Sequence, residues 1–287
     1  MPFAYPSQRL QDWLSQQYCV CTGRRVDPQS IEWLMGPYGN VDVIEDRYIE
    51  QLARSEGLTV RKNEPGFGLI ESFDELEFSP EDRARLRPEI AAFYENTFHY
   101  DLEVWSEWCQ AYRPFAGALS RLYSRRLQQL NLPMSPLETS RGIRSQIYKL
   151  FDSAGKPKHT IWYRHLKSTK EVIYSGVYSH CRIPDGRVCM KVVFPLPRGN
   201  ATVVMGVSVG EDGSLLLQSK GKEFGDPGFY FLLVDGKGNH HARYLPSFHE
   251  SIHVYVDEEE VLRADHVLCL WRTKALHLHY RMNENRQ

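Results

Sequence analysis

The stretch ATVVMGVSVGEDGSLLLQ, residues 201–218, decides the fold. Val203, Met205, Val207 and Val209 alternate with Thr202, Val204, Gly206 and Ser208, a period of two that belongs to a β-strand. Glu211-Asp212-Gly213 supplies turn chemistry, and a second apolar run follows at once. A connection this short joins antiparallel neighbours. Both faces of the first run carry apolar side chains, so both need cover; a sheet with one wet face would alternate more cleanly.

Outward from this hairpin the same pattern repeats. Strands are expected near 145–151, 159–166, 170–180, 187–194, 201–209, 214–219, 228–234, 241–245, 250–256, 262–271 and 275–282. Asp152-Ser153-Ala154-Gly155, Pro184-Asp185-Gly186, Arg198-Gly199-Asn200 and Asp235-Gly236 mark turns between them. No helix of crossover length intervenes, which argues against a parallel Rossmann or TIM sheet. Phe229, Phe231 and Leu233 oppose Tyr230, Leu232 and Val234, so this strand too is apolar on both faces.

The first half reads as helices with clear stops. Leu10, Trp13, Leu14 and Tyr18 recur at helical spacing before Gly23, and Asp27-Pro28 is a cap with proline at the first helical position. Val41, Ile44, Tyr48 and Leu52 form the next stripe, closed by Gly57. Residues 58–78 lack a helical period, and Pro65-Gly66-Phe67-Gly68 marks a loop that could cover a groove. Helices restart at Ser79-Pro80 and Pro88, and a further one is expected from about Pro114 to Leu130. Trp105, Trp108, Tyr112, Phe115, Leu122 and Tyr123, with Arg113, Arg121, Arg125 and Arg126, form an aromatic–basic amphipathic stretch, read as a core helix with a solvated basic face, the alternative being a helix on a membrane surface. The expected fold is α+β: a helical region over 1–137, then a large antiparallel β-meander sheet or barrel over 138–287. By architecture the second region resembles a lipocalin-like up-and-down barrel, although Thr160-Ile161-Trp162 stands where a lipocalin carries Gly-x-Trp.

Bulk properties narrow the function classes. The formal net charge is −1, so no strong field draws nucleic acid or anionic membrane. The charge is uneven: −6 over residues 1–137 and +5 over the remainder. No run approaches the ~18 apolar residues of a membrane span, and Met-Pro-Phe-Ala-Tyr-Pro does not read as a secretory signal. The six cysteines form no Cys-x-x-Cys pair and suit free thiols in the cytoplasm.

Two catalytic strings occur. His249-Glu250-Ser251-Ile252-His253 is a literal H-E-x-x-H, in which His249 and His253 would be the metal ligands of a hydrolase. That chemistry needs a helix, yet the string runs into Val254-Tyr255-Val256. Gly206-Val207-Ser208-Val209-Gly210 is a literal G-x-S-x-G inside an expected strand, not at a strand-to-helix elbow. There is no Walker A loop or dinucleotide fingerprint, so no cofactor is expected.

The last three strands offer a candidate ligand-binding face: His253, Tyr255, Arg263, Asp265, His277, His279 and Arg281. A register that keeps apolar faces together sets His253 opposite Asp265 and Asp265 opposite Arg281. The bland alternative is a wet face with complementary cross-strand pairs. The leading reading is a cytoplasmic protein that binds, or converts without a cofactor, a hydrophobic or amphiphilic small molecule. The residues do not separate binder from enzyme. The metal hydrolase is one alternative, and an interaction or scaffold module, as a homodimer paired through a sheet edge, is another.

Overall fold

The structure is a computed structural model that describes residues 3–4, 10–39, 44, 47–114, 117, 127, 129, 142–167 and 171–285. Most of the helix expected over 114–130, the link 133–141, Val41 and the boundary at 137/138 lie outside the described residues. The first elements are α1 (Leu10–Thr22), β1 (Arg24–Val26), a 3-10 segment Pro28–Leu34, α2 (Arg47–Glu56) and β2 (Thr59–Lys62). A 3-10 turn Phe73–Leu76, α3 (Pro80–Arg85), α4 (Pro88–Glu95) and β3 (Tyr100–Trp108) follow. The caps form as the residues dictate. Asp27 accepts a hydrogen bond from the Gln29 N–H, and Ser79 from the Asp82 N–H, each with proline starting the helical turn.

From residue 143 onward the expected alternation is realised as strands: β4 (Ile143–Phe151), β5 (Pro157–Leu166), β6 (Val172–Arg182), β7 (Val188–Leu196), β8 (Gly199–Val209) and β9 (Leu215–Gln218). The series continues with β10 (Gly228–Val234), β11 (His240–Tyr244), β12 (Phe248–Val256), β13 (Leu262–Leu270) and β14 (Thr273–Glu284). Successive strands from β4 to β8 pair antiparallel, as do β12, β13 and β14.

Two long-range pairings close the sheet on itself. β9 bridges β8 to β12, and β3 joins β14 over its whole length while meeting β4 at Leu102 and Ile143. Ten strands thus ring the barrel, in the order β3, β4, β5, β6, β7, β8, β9, β12, β13, β14. A lipocalin ring has about eight. β8 forks: residues 206–209 pair with β9, whereas 199–204 pair with β10, which carries β11 and β1 outward as a flap.

β3 departs from the helix expected around Trp105 and Trp108. Its burial alternates strictly, with Leu102, Val104 and Ser106 inward and Asp101, Glu103, Trp105 and Glu107 outward. The aromatic spacing fits a helix, but pairing along β14 satisfies the backbone as a strand. β1, β2 and β3, all from the first region, are therefore part of the same sheet.

Cover comes from the first region. Ile44, Tyr48, Ile49 and Ala53 pack α2 and its approach onto the outer faces of Tyr148, Leu150, Ile161, Val177 and Val193. Ile31 and Leu34 seat the 3-10 segment on Cys189, Val204, Tyr230 and Leu232. α1 buries Asp12, Gln16, Cys19 and Val20, while Leu10, Leu14 and Tyr18 of the expected apolar stripe stay exposed. The hydrogen bond from Gln16 Nε2 to the Pro197 carbonyl, 2.8 Å, accounts for the burial of Gln16.

The 67–98 segment does something different: it enters the barrel. Phe67, Leu69, Ile70, Phe73, Ile90, Phe93 and Tyr94 join the inward side chains of the strands in one core. Gly68 permits this entry, because a Cβ there would lie 2.2 Å from the Glu95 carbonyl. The Pro-Gly-Phe-Gly loop is thus the start of a plug.

Candidate binding site in the barrel lumen

Closure gives every strand an inner face. Met190, Val192 and Phe194 of β7, Val203 and Met205 of β8, and Ile252 and Val254 of β12 face a lumen cavity of about 340 Å³. Phe93 and Tyr94 of the plug line it at one side. Nearly all of this wall is carbon, the surface that apolar ligands require.

The polar exceptions are few. Arg164 of β5 is 2% exposed and lines the cavity. Its Nη1 donates to the Tyr174 hydroxyl at 2.8 Å. Its guanidinium lies 4.7 Å from the Trp162 ring centre, 5.1 Å from Tyr174 and 5.0 Å from Tyr280. Its Nε and Nη2 make no hydrogen bond to the described residues. No carboxylate of the described residues stands within ion-pair distance of it.

Burial pushes the Tyr178 phenol well up, with Tyr174 adding to the effect. Burial also raises Tyr280, and the Arg164 charge beside it works in the opposite direction. These phenols therefore stay neutral and offer dipoles and ring faces, not counter-charge. Lys149 makes the contrast. It is equally buried, but its Nζ bonds Glu71 at 2.6 Å. Glu250 and His266 both line the lumen and pair with each other, Oε2 to Nε2 3.2 Å.

The residues expected to form the ligand face lie elsewhere. His253, Tyr255, Arg263, Asp265, His277, His279 and Arg281 share the outer face of β12, β13 and β14, opposite in parity to the lumen-lining residues. His253 stands opposite Asp265 as the register demanded, but Asp265 pairs with His279, not with Arg281. The reason is the tight turn at Trp271, with φ 56°, and a bulge at Leu268/Cys269, which move the pairing by two residues.

The Asp265 carboxylate accepts from His279 Nδ1 at 2.6 Å and stands 3.4 Å from His277 Nε2. His253 stacks on Tyr255, with ring centres 5.0 Å apart. Arg263 is drawn away to Asp257 in the β12–β13 turn, and Arg281 faces Arg263 across the strands. Burial pushes the His277 imidazole below its ordinary value, and His279 adds to this. Ligand atoms of Glu107, His277 and His279 lie within 4.8 Å of one another, so this corner has metal-compatible donors. The hydrogen bond to Asp265 already accounts for one His279 nitrogen.

Both catalytic strings lie in strands, the context that argued against them in the sequence. His249 to His253 lies in β12, where residues four apart are about 13 Å apart along the strand, too far to share one ion. Glu250 points to the lumen, whereas His249 bonds the Ser219 carbonyl at 3.1 Å on the other side. No H-E-x-x-H metal site forms. Ser208 is an exposed residue of β8 paired with Leu216, so there is no nucleophile elbow.

Sequence reasoning missed Arg164, Tyr174, Tyr178 and Tyr280. One signal was available: Arg164 shares parity with Trp162 and Leu166, an unusual companion for an apolar face.

The chain is similar to a Bacillus subtilis protein. That protein, from strain 168, is described as the uncharacterized membrane protein YndJ, and it is 27% identical over 222 residues. The match covers 74% of this chain and 37% of the relative, so the chain spans little more than a third of that protein. No family model and no solved structure matches. Among the described residues, no helix is long and apolar enough to cross a membrane.

Proposed function

We propose that the barrel binds a hydrophobic or amphiphilic small molecule in its lumen. The observation that carries this reading is the apolar cavity of about 340 Å³ inside a ring of ten strands. Well-packed interiors leave few voids larger than a water molecule, and a carbon-lined space of this size gains from an apolar occupant. It falls in the range of small-molecule sites, roughly 300–1,000 Å³. The plug from the first region acts as the lid that separates the occupant from water. We further propose a cytoplasmic location, a reading supported by six cysteines with no Cys-x-x-Cys pair and no disulfide among them.

Native mass spectrometry of the purified protein, followed by Nile red titration, tests the reading. A co-purifying organic mass, or saturable uptake of the dye, is expected. A clean apo mass together with no dye uptake would sink it. Ala264 lines the lumen and is buried, so its replacement by tryptophan fills the cavity. A264W is expected to weaken Nile red binding at least about tenfold. The ring enters existing space, so the stability cost should stay at or below about 1–3 kcal/mol, read by thermal unfolding.

A further inference from the structure

We propose that the lumen selects an amphiphile with a carboxylate head, held by the free edge of Arg164. This inference rests on the reading of the lumen as a binding site and adds the chemical class of the ligand. Arg164 is 2% exposed, and no carboxylate of the described residues lies within ion-pair distance of it. A buried cation without a counter-charge is unfavourable, and chains that keep one usually supply an anion. Here the aromatic faces of Trp162, Tyr174 and Tyr280 soften the cost but carry no charge.

The free edge has a defined shape. Nη1 is occupied by the Tyr174 hydroxyl. Nε and Nη2, the two atoms left without partners, are adjacent on the guanidinium. Their N–H groups run parallel and match the two oxygens of a carboxylate, the bidentate pairing for which arginine is suited. An alcohol or ester could satisfy only one of the two and would leave the charge uncompensated. Glu250 also lines the cavity, but it is bonded to His266 and not to Arg164. The rest of the wall suits an alkyl tail, with Met190, Val192, Val203, Met205 and Leu217 on its strands.

The test compares two probes of equal chain length, dodecanoate and dodecan-1-ol, as competitors of Nile red on the full chain at pH 7.5. Dodecanoate is expected to displace the dye at about 30-fold lower concentration, as charge-assisted hydrogen bonds imply. R164M, which keeps bulk and removes the fork, is expected to bring the two probes together, and R164K to give an intermediate ratio. Equal displacement by acid and alcohol in the unaltered protein would overturn the inference and leave lumen binding standing, and so would discrimination that survives R164M. Failure of the unaltered protein to take up Nile red would remove both. If R164M does not fold, the ratio in the unaltered protein and in R164K decides.

Discussion

Phe73→Ala is expected to destabilise the protein by about 3–5 kcal/mol, the usual cost of emptying a large aromatic site in a packed core. Phe73 is wholly buried. Its ring stacks on Phe78 at 5.5 Å and meets Tyr94 edge-on at 5.7 Å. Its N–H donates to the Glu95 carboxylate at 2.7 Å, tying the 3-10 turn to the end of α4. Truncation therefore loosens the plug where it meets the barrel. In thermal unfolding the midpoint should fall by on the order of 10 °C. A loss under about 1 kcal/mol would mean that the plug is not part of the cooperative core. Because Tyr94 lines the lumen, Nile red should also exchange faster in this variant.

Asp235→Ala is expected to cost a similar amount, about 3–5 kcal/mol, because it leaves buried donors without their acceptor. The side chain is fully buried in the β10–β11 turn. It accepts from the Lys237 N–H at 2.8 Å, the Asn239 N–H at 2.9 Å and His241 Nε2 at 3.1 Å, with Asn239 Nδ2 bonded to both of its oxygens. Burial alone would raise this carboxyl, but the hydrogen bonds from Asn239, His241 and the main chain outweigh it and hold it well below the usual carboxylate range.

The pH dependence follows in sign. A carboxyl depressed in the folded state contributes its full stability above the unfolded value of about 3.9, and loses it as pH falls from there toward the folded value. Urea midpoints measured between pH 7 and pH 3 should fall more steeply for the parent than for D235N, which has no proton to take up. Parallel curves would show that this carboxylate does not link folding to acid.

The strands after residue 143 were legible because alternation and turn chemistry are local. Gly213 illustrates this: its φ of +78° is a turn conformation that glycine adopts without strain, and Glu211-Asp212-Gly213 announces it within three residues. β3 was less legible. Trp105 and Trp108 point to a helix by spacing, and an inward Ser106 weakens the alternation that marks the strand. The outer cluster around Asp265 could be assembled on one face from parity alone. Its partner was displaced by two residues because a bulge and a tight turn are set by hydrogen bonding between strands, which spacing does not reveal.

The sequence by itself determined that strands follow one another antiparallel, where they turn, and that several need cover on both faces. The tertiary structure alone decided which face became the inside. A strand has two sides and its alternation labels neither. The choice was made by contacts remote in the chain, between β3 and β14, and between β9 and β12. Once those pairings closed the ring, His253, Asp265 and His279 were turned outward. Arg164, which a local reading leaves as an ordinary charged strand residue, was carried into an apolar lumen where no carboxylate of the described residues lies within ion-pair distance.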